Sequence, residues 1–338
     1  MCRSPEKISS DSKKKISIFC NIPYESVVMS VDVESIYEVP KSLFDEKIEK
    51  IIFDHFDLSC KKKINLDIWK NFNKKIKKIK NSIDIAIVGK YINLSESYKS
   101  LNEALFHSGV HNNLKVNVSW IDSSKLKDLK SCEEYLSKFN GILVPGGFGK
   151  RGAEGKINAI RYAKNSLKPF LGICFGMQLA VIESIRNIKG YENASSSEFS
   201  KTKIPVISLI EEWEDGSKVH RQDHKNFGGS MRLGSYKSVL IKNSKISKIY
   251  EKLTINERHR HRYEVNINYK NVIKESGVIF SGSSPDGKLA EVMERTDHPW
   301  FLGVQYHPEL KSTPFNPHPI FNSFTLAILK NKKKEEAA

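Results

Sequence analysis

The chain has 338 residues, enough for one large or two ordinary domains with a buried core. Its five cysteines (Cys2, Cys20, Cys60, Cys132 and Cys174) show neither paired nor metal-ligand spacing, which predicts a reducing, cytoplasmic setting and no metal site. No apolar run approaches the ~18 residues of a membrane span and no apolar signal core opens the chain; the net charge of +16 comes from lysine, with only 10 arginines among 55 basic residues, so it reads as AT-rich coding bias rather than a nucleic-acid site.

Residues 1–40 hold short β-like runs, Lys15–Cys20, Val27–Met29 and Ile36–Pro40, separated by turn residues. Residues 41–80 turn helical and lysine-rich; positions 72, 76 and 79 give one thin apolar stripe, which predicts a solvated helix or connector. From Ile83 the rhythm changes. Ile83–Gly89 predicts a buried strand, Tyr98–Phe106 a helix, Val116–Ile121 a second strand and 141–144 a third, followed by a helix over 155–166. The stretch from about 204 to 310 is richer in β-like runs, among them Pro205–Ile210 and Val278–Phe280. Alternating strands and helices predict an α/β fold, a mostly parallel sheet covered by helices on both faces, with a partial α/β remnant at the N-terminus. Its ligand site should lie at the carboxyl ends of strands, where Gly146, Gly147 and Cys174 fall.

Gly172-Ile-Cys-Phe-Gly176 stands between an apolar run and a helix-like stretch, the context of a nucleophile elbow. A thiol at a helix N-terminus is favoured as thiolate, and the Phe175 N–H then points where an oxyanion would form. Such a cysteine needs a base and an orienting acid. His307 and Glu309 supply both after the run Trp300–Tyr306, with Pro308 stiffening the turn between them. Singly, Cys174 reads as a core thiol and His307 as a structural histidine; their joint context makes them candidates. Gly141–Gly149 reads as a buried strand entering a glycine loop able to donate backbone N–H groups. Gly147-x-Gly149-x-x-Gly152 also matches a dinucleotide fingerprint, weakly, for want of a βαβ unit with an acidic residue beyond it.

Val144-Pro-Gly-Gly-Phe-Gly149, Arg151-Gly-Ala-Glu-Gly-Lys156, Gly172-Ile-Cys-Phe-Gly-Met-Gln178, Gly228-Gly-Ser-Met-Arg-Leu-Gly234, Glu257-Arg-His-Arg-His-Arg-Tyr-Glu-Val-Asn266 and His298-Pro-Trp300 together resemble the CTP synthase family across residues 2 to about 326. Phe175 departs from the family, where leucine is more usual. The resemblance implies a synthetase remnant and connector at 1–81, a glutaminase domain at 82–330 and a charged tail at 331–338. It implies hydrolysis of L-glutamine by a triad of Cys174, His307 and Glu309, with Gly146, Gly147, Phe175, Gly176, Met177 and Gln178 around the substrate and oxyanion. Glu198 would meet the α-ammonium and Arg262 the α-carboxylate. Low-specificity matches place Arg3, Lys15, Asp32 and Val33 in a nucleotide site, and Arg221 and Phe148 at a GTP-responsive lid.

For the full-length family the resemblance implies ATP with Mg2+, UTP as acceptor, GTP as activator, and a homo-oligomer. No cofactor is expected in this chain, nor a nucleic-acid or membrane partner. No G-x-x-x-x-G-K-[ST] occurs in it, so the synthetase half is expected to be incomplete and the chain alone to perform only glutamine hydrolysis. Three other readings stay open: a glutaminase serving a different acceptor, a non-catalytic or regulatory fragment, and a basic nucleic-acid-binding protein.

Overall fold

A computed structural model of the protein describes residues 1–59, 64–90, 98–209, 212–215, 218–221 and 231–337, with side chains at 212–215 and 218–221 left aside. The chain divides into two units, Met1–Ile79 and Lys80–Ala338.

The larger unit is built on a nine-stranded mixed sheet. Its strand order is Thr254–His261, Arg232–Leu240, Val278–Ser283, Ala290–Arg295, Phe301–Val304, Phe170–Ile173, Gly141–Val144, Asn81–Gly89 and Leu114–Asp122. The last five strands run parallel to one another, and the strands before them pair antiparallel. The β-rich stretch noted after residue 204 supplies the antiparallel half. Alternate side chains of one strand enter opposite layers: Ile83, Ile85 and Ile87 pack with the helices Lys99–His111 and Pro319–Glu335, whereas Ala86 and Val88 join the layer of Ala153–Asn165 and Phe175–Ile185. Helices thus cover both faces. The helix Phe175–Ile185 is buried along its whole length, as a crossover wedged beneath other elements must be. The C-terminal helix continues through the lysine-rich residues to Glu335. A smaller sheet of Tyr263–Val265, Pro205–Leu209 and Ser195–Ser196 closes one side of the site. Among the described residues no helix is long and apolar enough to cross a membrane.

The smaller unit corrects two expectations. Lys15–Cys20, with its alternation of isoleucine and serine, suggests a strand, but the segment lies in a helix, Ser10–Cys20. Local end chemistry decides it. The Ser9 hydroxyl accepts from the Ser12 N–H, and Asn21 takes a left-handed conformation that returns its N–H to the last turn. Ile36–Pro40 is a 3-10 turn, Ile36–Glu38, leading into the helix Val39–Asp45; the Ser35 side chain caps the turn and Pro40 sits in the first helical turn, where its missing N–H is harmless. Val27 and Val28 precede the strand Met29–Val31, which pairs parallel with Cys2–Ser4. The lysine-rich helix spans Asp67–Lys78 and is less solvated than its stripe suggests: Phe72 is buried edge-on to Tyr37 at 5.0 Å, and Asn73 donates to the Tyr37 carbonyl at 2.7 Å.

Candidate active site

Three neighbouring parallel strands end together. Val144 is in register with Gly172, and Ile173 with Val304, so the Gly146–Gly147 loop, Cys174 and the His307 segment leave the sheet at one edge. Cys174 stands between the strand Phe170–Ile173 and the helix Phe175–Ile185 with φ 51° and ψ −102°. A non-glycine residue there is strained, and the strain is held by its neighbours: its N–H donates to the Val304 carbonyl at 2.7 Å and its carbonyl accepts from Gln178 N at 3.2 Å. The flanking glycines serve close approach. A Cβ on Gly176 would lie 2.1 Å from the Val144 carbonyl oxygen, and one on Gly172 would lie 2.8 Å from the Gly176 backbone.

His307 meets both partners expected for it. Its Nδ1 lies 2.8 Å from Glu309 Oε1, and its ring shares one cavity wall with Cys174, whose sulfur acts on it electrostatically. Burial opposes the charged imidazolium, but the Cys174 sulfur and then Glu309 outweigh it, pushing the His307 pKa up to about 11. A Cβ on Gly146 would lie 2.7 Å from His307 Cε1, so this glycine is required by the ring itself.

These groups open into a cavity of about 650 Å3 lined by Gly146, Gly147, Phe148, Cys174, Gln178, Glu198, Arg262 and His307 among others. Glu198 accepts from the Gly149 N–H at 2.8 Å; burial raises its carboxyl above the ordinary range, against that hydrogen bond. Gln178 donates to the Tyr263 carbonyl at 2.8 Å and approaches Gln305 Oε1 at 3.2 Å. The wall thus offers a carboxylate and a guanidinium, suited to an amino acid's two ends. Phe148 is largely exposed on the glycine loop. Phe175, Gly176 and Met177 are not among the side chains lining the cavity. Gly176 packs on Val144, Met177 lies under Gly303, and Phe175 packs edge-on to Phe199. Phe175 is the first residue of its helix, where a backbone N–H has no intrahelical partner.

Sequence reasoning missed the second ring of polar groups. Arg260, His261, Tyr263, Met231 and Tyr98 also line the cavity, and Gln305 Nε2 lies 3.6 Å from Cys174 Sγ. Behind His261, the buried Arg232 spans Glu264 and Glu291, both at 2.8 Å, while His259 and His261 contact each other at 2.9 Å. Burial, then the Arg232 charge, holds both histidines neutral. The signal was present: the run 254–261 alternates exposed and buried residues, so every second member of the Arg/His string faces inward.

The remaining residues lie in the smaller unit or on the strand Lys218–Arg221. Arg3 pairs with Asp32 at 3.0 Å on the surface, and Lys15 is exposed on its helix. Val33 lines a separate cavity of about 570 Å3 with Met29 and Val31 at its floor and lysines at its rim. The Arg3 guanidinium and the Asp32 carboxylate, both of the expected nucleotide site, thus pair with each other. Among the described residues no cluster of His, Cys, Asp or Glu could hold a metal ion. Arg221 ends the strand Lys218–Arg221, and its side chain lies outside the described residues.

Comparison with known proteins places this geometry. Residues 93–327 match the model of the family described as glutamine amidotransferase class-I, and residues 1–58 match that described as CTP synthase N-terminus. The CTP synthase of Pelagibacter ubique is 52% identical over 333 residues, covering 98% of this chain and 62% of the relative. That of Zymomonas mobilis is 47% identical over 335 residues, again 98% of this chain and 62% of the relative. The chain thus spans about three fifths of the length of these relatives. A solved structure, the Trypanosoma brucei CTPS glutaminase domain with bound acivicin, superposes with a TM-score of 0.66 at 33% identity, over 73% of this chain and 94% of that one.

Proposed function

The chain belongs to the class-I glutamine amidotransferases, within the CTP synthase family, and on that premise we propose that it hydrolyses L-glutamine through Cys174, His307 and Glu309. The observation that carries this reading is His307, hydrogen-bonded to the Glu309 carboxylate and lining one cavity with Cys174.

In the proposed reaction Cys174 acts as the nucleophile with a protonated His307 ring beside it. The Cys174 sulfur attacks the glutamine side-chain amide carbon, and the carbonyl oxygen takes the negative charge. The Phe175 N–H and the Gly146–Gly147 loop are the donors proposed to hold it; one such donor is worth about 10²–10³ in rate. His307 then delivers a proton to the amide nitrogen, the C–N bond breaks, and ammonia leaves a glutamyl thioester. The now neutral His307 takes a proton from water, whose oxygen attacks the thioester carbonyl. The C–S bond breaks, glutamate leaves, and the thiolate–imidazolium pair is restored. Glu309 orients the ring throughout. Glu198 pairs with the substrate ammonium, Arg262 with its carboxylate, and Gln178 fixes the pocket wall.

In a complete CTP synthase the ammonia would serve ATP-dependent amination of UTP, with GTP as activator, in a cytoplasmic homo-oligomer. The 338 residues of this chain hold no phosphate loop, so by themselves they perform the hydrolysis alone. Two assays on the purified chain test this. Ammonia release from glutamine, lost in Cys174→Ala, is expected, and its absence from the unmodified chain would overturn the glutaminase reading. CTP formation from UTP, ATP and free ammonia is expected to be nil; measurable turnover would overturn the restriction to hydrolysis.

A further inference from the structure

The Arg151–Lys156 segment has no part in the mechanism so far, yet it contains a buried lysine. Lys156 is only 3% exposed. Among the described residues no carboxylate pairs with its ammonium and no acceptor hydrogen-bonds it; its polar end lies 5.1 Å over the Phe175 ring. It also belongs to the first turns of the helix Ala153–Asn165, near the positive dipole end, where a cation is disfavoured. Burial, reinforced by the Lys90 charge, lowers its pKa to about 8. Burial without a carboxylate partner among the described residues, the helix dipole and a like charge nearby all work against a cation here.

The segment's glycines fix this unfavourable placement. Gly152 takes φ +77°, and a Cβ on Gly155 would lie 1.8 Å from the Ser123 carbonyl oxygen. The first turn is thereby pressed onto the Ser123–Lys125 turn, which aims Lys156 beneath the glycine loop. A Cβ on Gly147 would lie 3.5 Å from Lys156 Nζ and 3.5 Å from Phe175 Cδ1. The ammonium therefore sits behind both segments that present the oxyanion donors.

We propose that Lys156 is a positioning residue of the oxyanion site: its buried charge, behind the Gly147 loop and Phe175, supplies a fixed positive field whose attraction for the substrate oxygen grows as the tetrahedral oxyanion forms. The inference rests on the glutaminase reading. A cation in a dry environment, fixed before the reaction, favours the charged transition state over the neutral amide, and so acts on kcat rather than on binding.

The test is Lys156→Met, near-isosteric and uncharged, measured for ammonia release and for thermal unfolding. We expect kcat to fall about 10- to 100-fold, below the ~10²–10³ of a direct donor, with KM within about twofold. The unfolding temperature should hold or rise, because a buried charge with no carboxylate partner among the described residues is gone. Activity and stability should thus move apart, which loss of a mere packing residue does not produce. Unchanged kcat, or kcat and unfolding temperature falling together, would overturn the role of Lys156 while leaving the triad intact. No hydrolysis by the unmodified chain would overturn the glutaminase reading and this proposal with it.

Discussion

The backbone N–H of Cys174 donates to the Val304 carbonyl at 2.7 Å, tying the nucleophile's turn to the strand that delivers its base. The strained turn at Cys174, φ 51°, and the strand that leads to His307 are therefore joined directly by a hydrogen bond between adjacent strands.

Cys174→Ala should abolish glutamine hydrolysis and leave cooperative unfolding intact, because the thiol serves chemistry and alanine carries the same backbone strain. A glutamine-analogue electrophile should label Cys174 ahead of every other thiol. Cys132 is fully buried and its pKa is pushed by burial to about 11, so it should be inert. Peptide mapping of the labelled chain decides this, and equal labelling of Cys20 and Cys174 would count against the nucleophile.

His307→Asn removes the proton donor and should lower kcat by about 10³ or more, whereas Glu309→Gln keeps an acceptor for Nδ1 and should cost about 10- to 100-fold. Single-turnover thioester formation separates the two. Equal losses would mean that Glu309 does more than orient the ring.

Two glycine substitutions should split stability from activity. Gly176→Ala places a methyl 2.1 Å from the Val144 carbonyl oxygen, backbone against backbone, and should destabilise by about 1–3 kcal/mol or more. Gly146→Ala meets the His307 ring at 2.7 Å, and a side chain yields more easily. It should spare most of the stability and reduce kcat by at least about tenfold. Denaturant titration and steady-state kinetics on the pair check both halves.

His298 gives a pH signature away from the site. Its Nδ1 accepts from the Trp300 N–H at 3.1 Å and its Nε2 faces the Ala163 carbonyl at 3.3 Å, an arrangement only the neutral ring satisfies. Burial is the main cause lowering its pKa to about 4. The unfolded chain takes up this proton near pH 6.5 and the folded one only near 4, so the contribution is present above 6.5 and lost as pH falls toward 4. His298→Asn keeps an acceptor for the Trp300 N–H and should flatten the stability–pH slope in that window by about one proton, ~1.4 kcal/mol per pH unit. Identical slopes in the two proteins would show that His298 does not titrate on unfolding.

The elbow was legible because it combines an apolar strand, glycines at fixed offsets and a helix, each a local signal. The parallel half was legible for the same reason: Ile83–Gly89 and Gly141–Val144 are short apolar runs between turns. Lys15–Cys20 misleads because β-branched alternation imitates a strand, while the decisive serine cap at Ser9 lies outside the run. Arg232 and Lys156 carry no sequence mark of burial. Charged residues are rarely buried without partners, and those of Arg232, Glu264 and Glu291, come from other strands. The inward face of 254–261 was hidden for a related reason: a run of arginine and histidine suggests a surface, and only pairing with Arg232–Leu240 reveals its two sides.

The central pairing of Phe170–Ile173 with Phe301–Val304 has a consequence for the order in which reactivity arises. Gln305, beside the sulfur, lies 131 positions beyond Cys174, with the entire antiparallel half of the sheet in between. During synthesis the thiol leaves the ribosome long before the strand that carries His307. Until that strand docks, Cys174 has neither the Val304 carbonyl to hold its turn nor an imidazolium to sustain a thiolate. The chain therefore arms its nucleophile last, once the sheet has closed around it.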